Sequence, residues 1–269
     1  MKKRQVLQEF LFNHQPDILF LSEMSGNFDS SFSIAALIED CMRISPGVDH
    51  RTNRYTCLAR VRNNGVHLMM GIFAKSELFH LRAGLVEMRG WPDGQRRPLL
   101  YIECPTTRYI ANIFFLHARA SAAGGRDAVE TILRHVAAHP QDLAGGDFNY
   151  SSYIDPAGLL TAGTLAAHRG AQFFSPVIGV HCPAIVPWGG PAPFTQFARN
   201  AHGAMALPGT FISFDPGGRI DFMLGGNAHA GRIGAVDSMP ARIGGVHPWE
   251  RAVFSLFDHL PVVYDWNPG

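Results

Sequence analysis

The chain has 269 residues, 46% hydrophobic and 17% charged, with 28 Gly and 18 Pro. Such a composition excludes a disordered chain and fits a single globular domain, 1–269, whose core is cut by many turns and hence many short strands. The formal net charge of +1 excludes the strong basic field of a general nucleic-acid binder, although arginines can still be concentrated locally.

Met1-Lys2-Lys3-Arg4 opens like a secretory signal, but the apolar core of a signal peptide does not follow. Val6, Leu7, Phe10 and Leu11 recur at helical spacing instead, and Pro16 ends that helix by holding Gln15 in an extended or turning conformation. Residues 17–21 read as a buried strand and 32–42 as a short helix. Residues 55–61 and 66–73 read as a hairpin around Asn63-Asn64-Gly65, whose residue types tolerate positive φ. A strand pair is expected over 78–88. A second hairpin-like couple, 99–103 and 109–116, turns at Pro105-Thr106-Thr107.

The clearest later helix spans 125–139, with Asp127 in its first turn, an apolar stripe of Ala128, Ile132, Leu133 and Val136, and Pro140 beyond its end. Residues 151–216 are rich in Gly, Pro, Ala and His and weakly periodic. Strands are expected over 219–224 and 252–256, and 262–264 closes the sheet. Strands and helices interleave without a βαβ rhythm, which argues for an α+β fold of two mixed sheets packed face to face with helices outside. Cys41, Cys57, Cys104 and Cys182 are widely spaced, with no metal-ligand pattern, so free thiols are expected and structural zinc is not. The longest apolar stretches, such as 109–116, are too short to span a bilayer.

Polar residues stand at strand ends in four places. They are Glu23 after Asp17-Ile18-Leu19-Phe20-Leu21-Ser22, His117 after Phe114-Phe115-Leu116, Gly146-Asp147-Phe148-Asn149, and Asp258-His259-Leu260-Pro261. Phosphodiester hydrolysis needs these types. A divalent cation wants oxygen ligands, which the carboxylates of Glu23 and Asp258 supply. Asp147 and Asn149, two apart in an extended segment, share one side and can address one phosphate or one water. A general base needs an imidazole with its tautomer fixed, here His259 with Asp221 as its orienter. Charge on the phosphoryl oxygens needs donors, for which His117 and Arg97 are suited.

Each motif alone has a plainer meaning. Asp-Phe-Asn is commonly an Asx turn, Asp-His before Leu-Pro a satisfied loop pair, and Arg96-Arg97 a solvated turn. Arg51, Arg54, Arg60 and Arg62 are either surface charge or a phosphate track. The order and placement of the set carry the functional reading.

That order resembles the metal-dependent endonuclease/exonuclease/phosphatase superfamily, which includes DNase I, exonuclease III, inositol polyphosphate 5-phosphatases and neutral sphingomyelinases. The resemblance runs from about residue 5 to the end, through residues 16–23, 146–149, 219–222 and 257–262. The segment His117-Ala118-Arg119-Ala120, with Gly124-Gly125-Arg126-Asp127 after it, and Arg97-Pro98 look like the catalytic subunit of cytolethal distending toxin. The resemblance implies a DNase I-like four-layer α/β/β/α sandwich. It implies Mg²⁺ (or Mn²⁺) on Glu23 and Asp258, with Asp147 orienting the nucleophilic water. Asn149 and Arg97 would contact phosphate, His259 and Asp221 would act as a pair, and His117 would donate to the leaving group or a phosphoryl oxygen.

Two departures stand out. The family's first strand and its Asn precede the helix at which this sequence opens, so the fold is expected to lack that strand. Ser22 replaces the usual Gln before Glu23. DNA is the expected substrate, with a phosphoinositide or sphingolipid headgroup as the alternative, served in part by a loop at 183–193 bearing Trp188. A truncated, inactive relative is the third reading. Toxin-like partner subunits and secretion would follow from the toxin resemblance.

Overall fold

The computed structural model describes residues 10–11, 14–25, 55–62, 68–86, 88, 90–91, 97–150, 158–175, 220–236 and 262–268. Mixed β-sheets with few helices make up this part of the chain. Strands β1 (Ile18–Ser25), β2 (Tyr55–Arg62) and β3 (Leu68–Lys75) form an antiparallel sheet in the order β1-β3-β2. A larger sheet has the order β4-β5-β6-β7-β9-β8. Its strands are β4 (Ala83–Val86), β5 (Leu99–Pro105), β6 (Ile110–His117), β7 (Leu143–Asp147), β8 (Gln172–Phe174) and β9 (Asp221–Gly225). Only β6 and β7 run parallel; the other neighbours are antiparallel. Helix α1 (Ala122–Ala138) makes the β6–β7 crossover, and α2 (Ala162–Ala167) precedes β8. Strands β10 (Ile233–Val236) and β11 (Val263–Trp266) pair with each other.

Strand β6 is apolar without interruption from Ile113 to Leu116 because both of its faces are covered there. Phe114 and Leu116 pack with Leu99, Ala144, Phe222 and the α1 stripe of Ala128, Val129, Ile132, Leu133 and Val136. Ile113 and Phe115 turn the other way, with Leu100, Ile102 and Leu143, onto Met70 and Ile72 of β3. Phe20 of β1 stacks on Phe115 at 5.0 Å between ring centroids. The period of two along a strand therefore separates a helix-facing from a sheet-facing set.

Several expected elements differ in detail. Residues 78–88 contain one described strand, β4, because the end of a 3₁₀ turn at Ser76–Leu78 and the turn and bend of residues 79–81 take up the first part of that segment. The first described helix turn is present at Phe10, Leu11 and His14, and Gln15 N–H donates to Leu11 O at 2.9 Å before turning at φ 42°. Helix α1 starts earlier than residue 125, with Ser121 as its cap, so its first turn contains no acidic residue and Asp127 lies beyond it. Strand β11 pairs with β10 rather than closing the larger sheet. Strands β8 and β10 and helix α2 had no clear sequence signal, being three to six residues long and too short to show a period. The helix expected over 32–42 and the strand over 252–256 lie outside the described residues. Cys57 and Cys104 are free thiols, as expected; Cys41 and Cys182 lie outside the described residues. Among the described residues no helix is long and apolar enough to cross a membrane.

Candidate active site

His117 is the last residue of β6, Asp147 the last of β7 and Asp221 the first of β9. The registers place His117 opposite Asp147 and Asp147 opposite Asp221, so three polar residues form one row across the end of the sheet. Register partners share a face. Leu116 and Phe222, next to His117 and Asp221, and Ala144, an odd number of residues before Asp147, belong to the helix-facing set, so alternation assigns this row to the other face, toward the sheet that contains β1.

His117 and Asp147 are almost fully buried. His117 Nε2 lies 3.3 Å from Asp147 Oδ2; a carboxylate only accepts, so this nitrogen bears the hydrogen. Asp147 Oδ1 accepts the backbone N–H of Asn149 at 2.7 Å, and Oδ2 also accepts from Asn149 Nδ2 at 3.1 Å. The same Nδ2 donates to Ala118 O at 2.9 Å. Both neighbours of that amide nitrogen are acceptors, which fixes its orientation and leaves Oδ1 as the group to offer a cation or a donor. A direct Asn149 contact to phosphate would have to exchange one of these N–H bonds. Asp147 and Asn149 do meet, but through an Asx turn and not through strand alternation. Strand β7 ends at Asp147, and Asn149 is left-handed at φ 48°.

The turn is clamped from three sides. Phe148 is fully buried and stacks on Phe222 with centroids 4.2 Å apart, while its N–H donates to Ile220 O at 2.8 Å. Gly146 has φ 134°, and a Cβ there would meet Leu116 O at 2.1 Å. Gly125, in the first turn of α1, touches the motif so closely that a Cβ would lie 2.3 Å from Asn149 O. Ser121 caps the helix by accepting from Gly124 N–H at 3.0 Å. Both glycines are thus inside the helix, where glycine is otherwise unfavourable: Gly125 because the helix must approach this backbone, and Gly124 because a Cβ there would crowd Arg119 and the capping Ser121.

Arg97 Nη1 donates to Ala118 O at 2.7 Å, the carbonyl that also takes Asn149 Nδ2. Trp91 Nε1 in turn donates to Arg97 O at 3.0 Å. Arg97 is therefore attached to the same loop as the row. The sequence assigns no role at the site to Gly125, Trp91 or the Ala118 carbonyl. Gly-Gly ahead of a helical stripe looks like a boundary, and a carbonyl leaves no sequence signal.

Glu23 lies in β1, where the register with β3 shifts between Leu21 and Met24. Asp258 and His259 lie outside the described residues. Among the described residues, no group of three or more His, Cys, Asp or Glu side chains is arranged to hold a metal ion. The donor chemistry at the row is nonetheless oxygen-rich, with the carboxylates of Asp147 and Asp221 and the Asn149 carbonyl oxygen, which suits a hard cation such as Mg²⁺.

No protein-family model matches the sequence, and a comparison with curated proteins finds no match. Solved structures do resemble it. The chain is similar to a 3′-5′ exonuclease (NExo) from Neisseria meningitidis, with 16% identity and a TM-score of 0.51, over 97% of this chain and 93% of that one. It is also similar to ANGEL2, a 2′,3′-cyclic phosphatase in complex with adenosine-2′,3′-vanadate, with 12% identity and a TM-score of 0.51, over 97% of this chain and 84% of that one. At such identities the likeness concerns the fold alone.

Proposed function

We propose that the chain is a Mg²⁺-dependent phosphodiester hydrolase acting on DNA, built as a single domain, 1–269, with the four-layer DNase I-like arrangement. The observation that carries this reading is the row of His117, Asp147 and Asp221 at one sheet end, with Asn149 folded back onto Asp147. The exonuclease and cyclic-phosphatase activities of the two similar proteins are both phosphate-ester chemistry, which favours this class over others the fold could host.

In this reading Glu23 and Asp258 hold the cation, which when bound polarises the phosphoryl oxygens. The rest is the work of the chain. Asp147, held by Asn149 and His117, orients the attacking water. His259 takes the proton from that water, and Asp221 keeps the His259 tautomer correct. His117 and Arg97 stabilise charge at the phosphate and leaving group. The site gains from positioning and electrostatics, which dominate phosphoryl chemistry. The finer likeness, to the catalytic subunit of cytolethal distending toxin, rests on the His117 and Gly124-Gly125 segments and on Arg97-Pro98.

The test is nicking of supercoiled plasmid with Mg²⁺ by the parent chain and by its His259→Ala and Asp147→Ala variants. Nicking by the parent that is lost in both variants is the expected result. A folded, Mg²⁺-loaded parent that leaves the plasmid intact refutes DNA as substrate, and the same three proteins would then be assayed on phosphoinositide and sphingomyelin vesicles.

A further inference from the structure

Tyr109, His229 and Trp266 lie at the opposite end of β6 and β7 from the row. Tyr109 immediately precedes β6, His229 ends the 3₁₀ turn that follows β9, and Trp266 ends β11. The His229 ring meets each of the other two in a T-shaped arrangement, with centroids 6.3 Å from Tyr109 and 5.8 Å from Trp266. Its Nε2 is 2.8 Å from Gln141 O. A carbonyl only accepts, so Nε2 carries the hydrogen, and Nδ1 of the neutral ring is an acceptor. Burial lowers the His229 pKa below its ordinary value, which keeps the ring neutral.

Tyr109 Oη, His229 Nδ1 and Trp266 Nε1 are all buried, and none has a hydrogen-bond partner among the described residues. Such atoms are rare in folded proteins, because each gives up hydration without a replacement. Three in one cluster of touching rings call for a common explanation. Their chemistry is complementary: the indole only donates, the imidazole nitrogen only accepts, and the phenol does either. A cation is disfavoured by the indole N–H and an anion by the Nδ1 lone pair. A small neutral molecule with both donor and acceptor capacity matches all three.

We propose that Tyr109, His229 and Trp266 form a binding site for one ordered internal water molecule, which accepts from Trp266 Nε1 and donates to His229 Nδ1, with Tyr109 Oη as its third partner. Internal waters with about three protein partners are a regular part of folded cores. This one ties the β10–β11 ribbon, through Trp266, to the base of the larger sheet.

The experiment is a water-selective NOE and ROE measurement on the ¹⁵N-labelled full chain, with the Trp266 indole signal assigned by its loss in Trp266→Phe. The expected result is a cross-peak from the Trp266 indole proton to a long-lived water. It should persist in Tyr109→Phe, which removes the phenol as an alternative source of exchanging hydrogen, while the Tm of that variant falls by roughly 2–4 °C. Absence of the cross-peak in the parent, its disappearance in Tyr109→Phe, or a Tm in Tyr109→Phe equal to or above the parent's would each overturn the proposal. The last would mean that the hydroxyl is simply unpaired in a dry site, where its removal costs nothing.

Discussion

The two ends of β7 hold the same pair of groups in different settings. Asp142, just before the strand, receives His135 Nε2 at 2.9 Å and the backbone and side-chain N–H groups of Asn112 at 3.1 and 3.0 Å. Asp147, at the end of the strand, receives His117 Nε2 at 3.3 Å and the backbone and side-chain N–H groups of Asn149. Both carboxylates are buried. At Asp142 the donors come from α1 and β6, so the cluster fastens the helix to the sheet. At Asp147 two donors come from its own turn, beside a left-handed Asn149, a φ 134° Gly146 and a third polar residue, Asp221, in register. A buried Asp–His pair therefore does not identify an active site. Position at the strand ends where loops gather, together with backbone held in rare conformations, makes the Asp147 end the candidate.

Matched substitutions break this comparison most directly. Asp147→Asn is expected to lower plasmid nicking by roughly 10²–10⁴-fold, whereas Asp142→Asn leaves turnover near the parent's and lowers stability by about 1.5–3 kcal/mol. Nicking rates and denaturant melts on both variants check this; equal loss of activity at the two ends would erase the distinction. Gly125→Ala comes next. The added methyl meets Asn149 O at 2.3 Å, so a loss of about 1–3 kcal/mol is expected, with kcat falling more than KM changes. Gly163 of α2 has open space around a new Cβ, and Gly163→Ala should gain about 0.4–1 kcal/mol with unchanged nicking.

A smaller effect sharpens the same contrast through pH. Burial, the largest influence on His229, lowers its pKa; the Gln141 carbonyl and Asp142 oppose this, and Arg232 adds to it. As the pH falls below about 6.5, the unfolded chain takes up a proton that the folded ring resists, so stability is lost there and is constant above. The Tm of the parent should fall more steeply between pH 7 and pH 5 than that of His229→Gln, as calorimetry would read; parallel slopes would remove His229 from the account. The smallest effect is at Cys104, whose thiol is pushed up to about 12 by burial. Iodoacetamide should leave Cys104 unmodified in the native chain and label it only after unfolding, as peptide mapping would show.

The sequence by itself determined the strands with a long or strong pattern. Strand β6 was visible as a mainly apolar run, β2 and β3 as a hairpin, and α1 as a stripe at helical spacing. It also determined which residue types stand at strand ends, because an apolar run that stops at His117 or Asp147 needs no third dimension to be seen. Only the tertiary structure decided which ends lie side by side. Register, set by pairing between segments far apart in sequence, aligns His117, Asp147 and Asp221. The same pairing made Arg97 and Asn149 share the Ala118 carbonyl, and close packing of α1 on the Asx turn is what requires Gly125. Side-chain pattern is written locally, whereas backbone carbonyls, register and close approach depend on partners that a single segment does not contain.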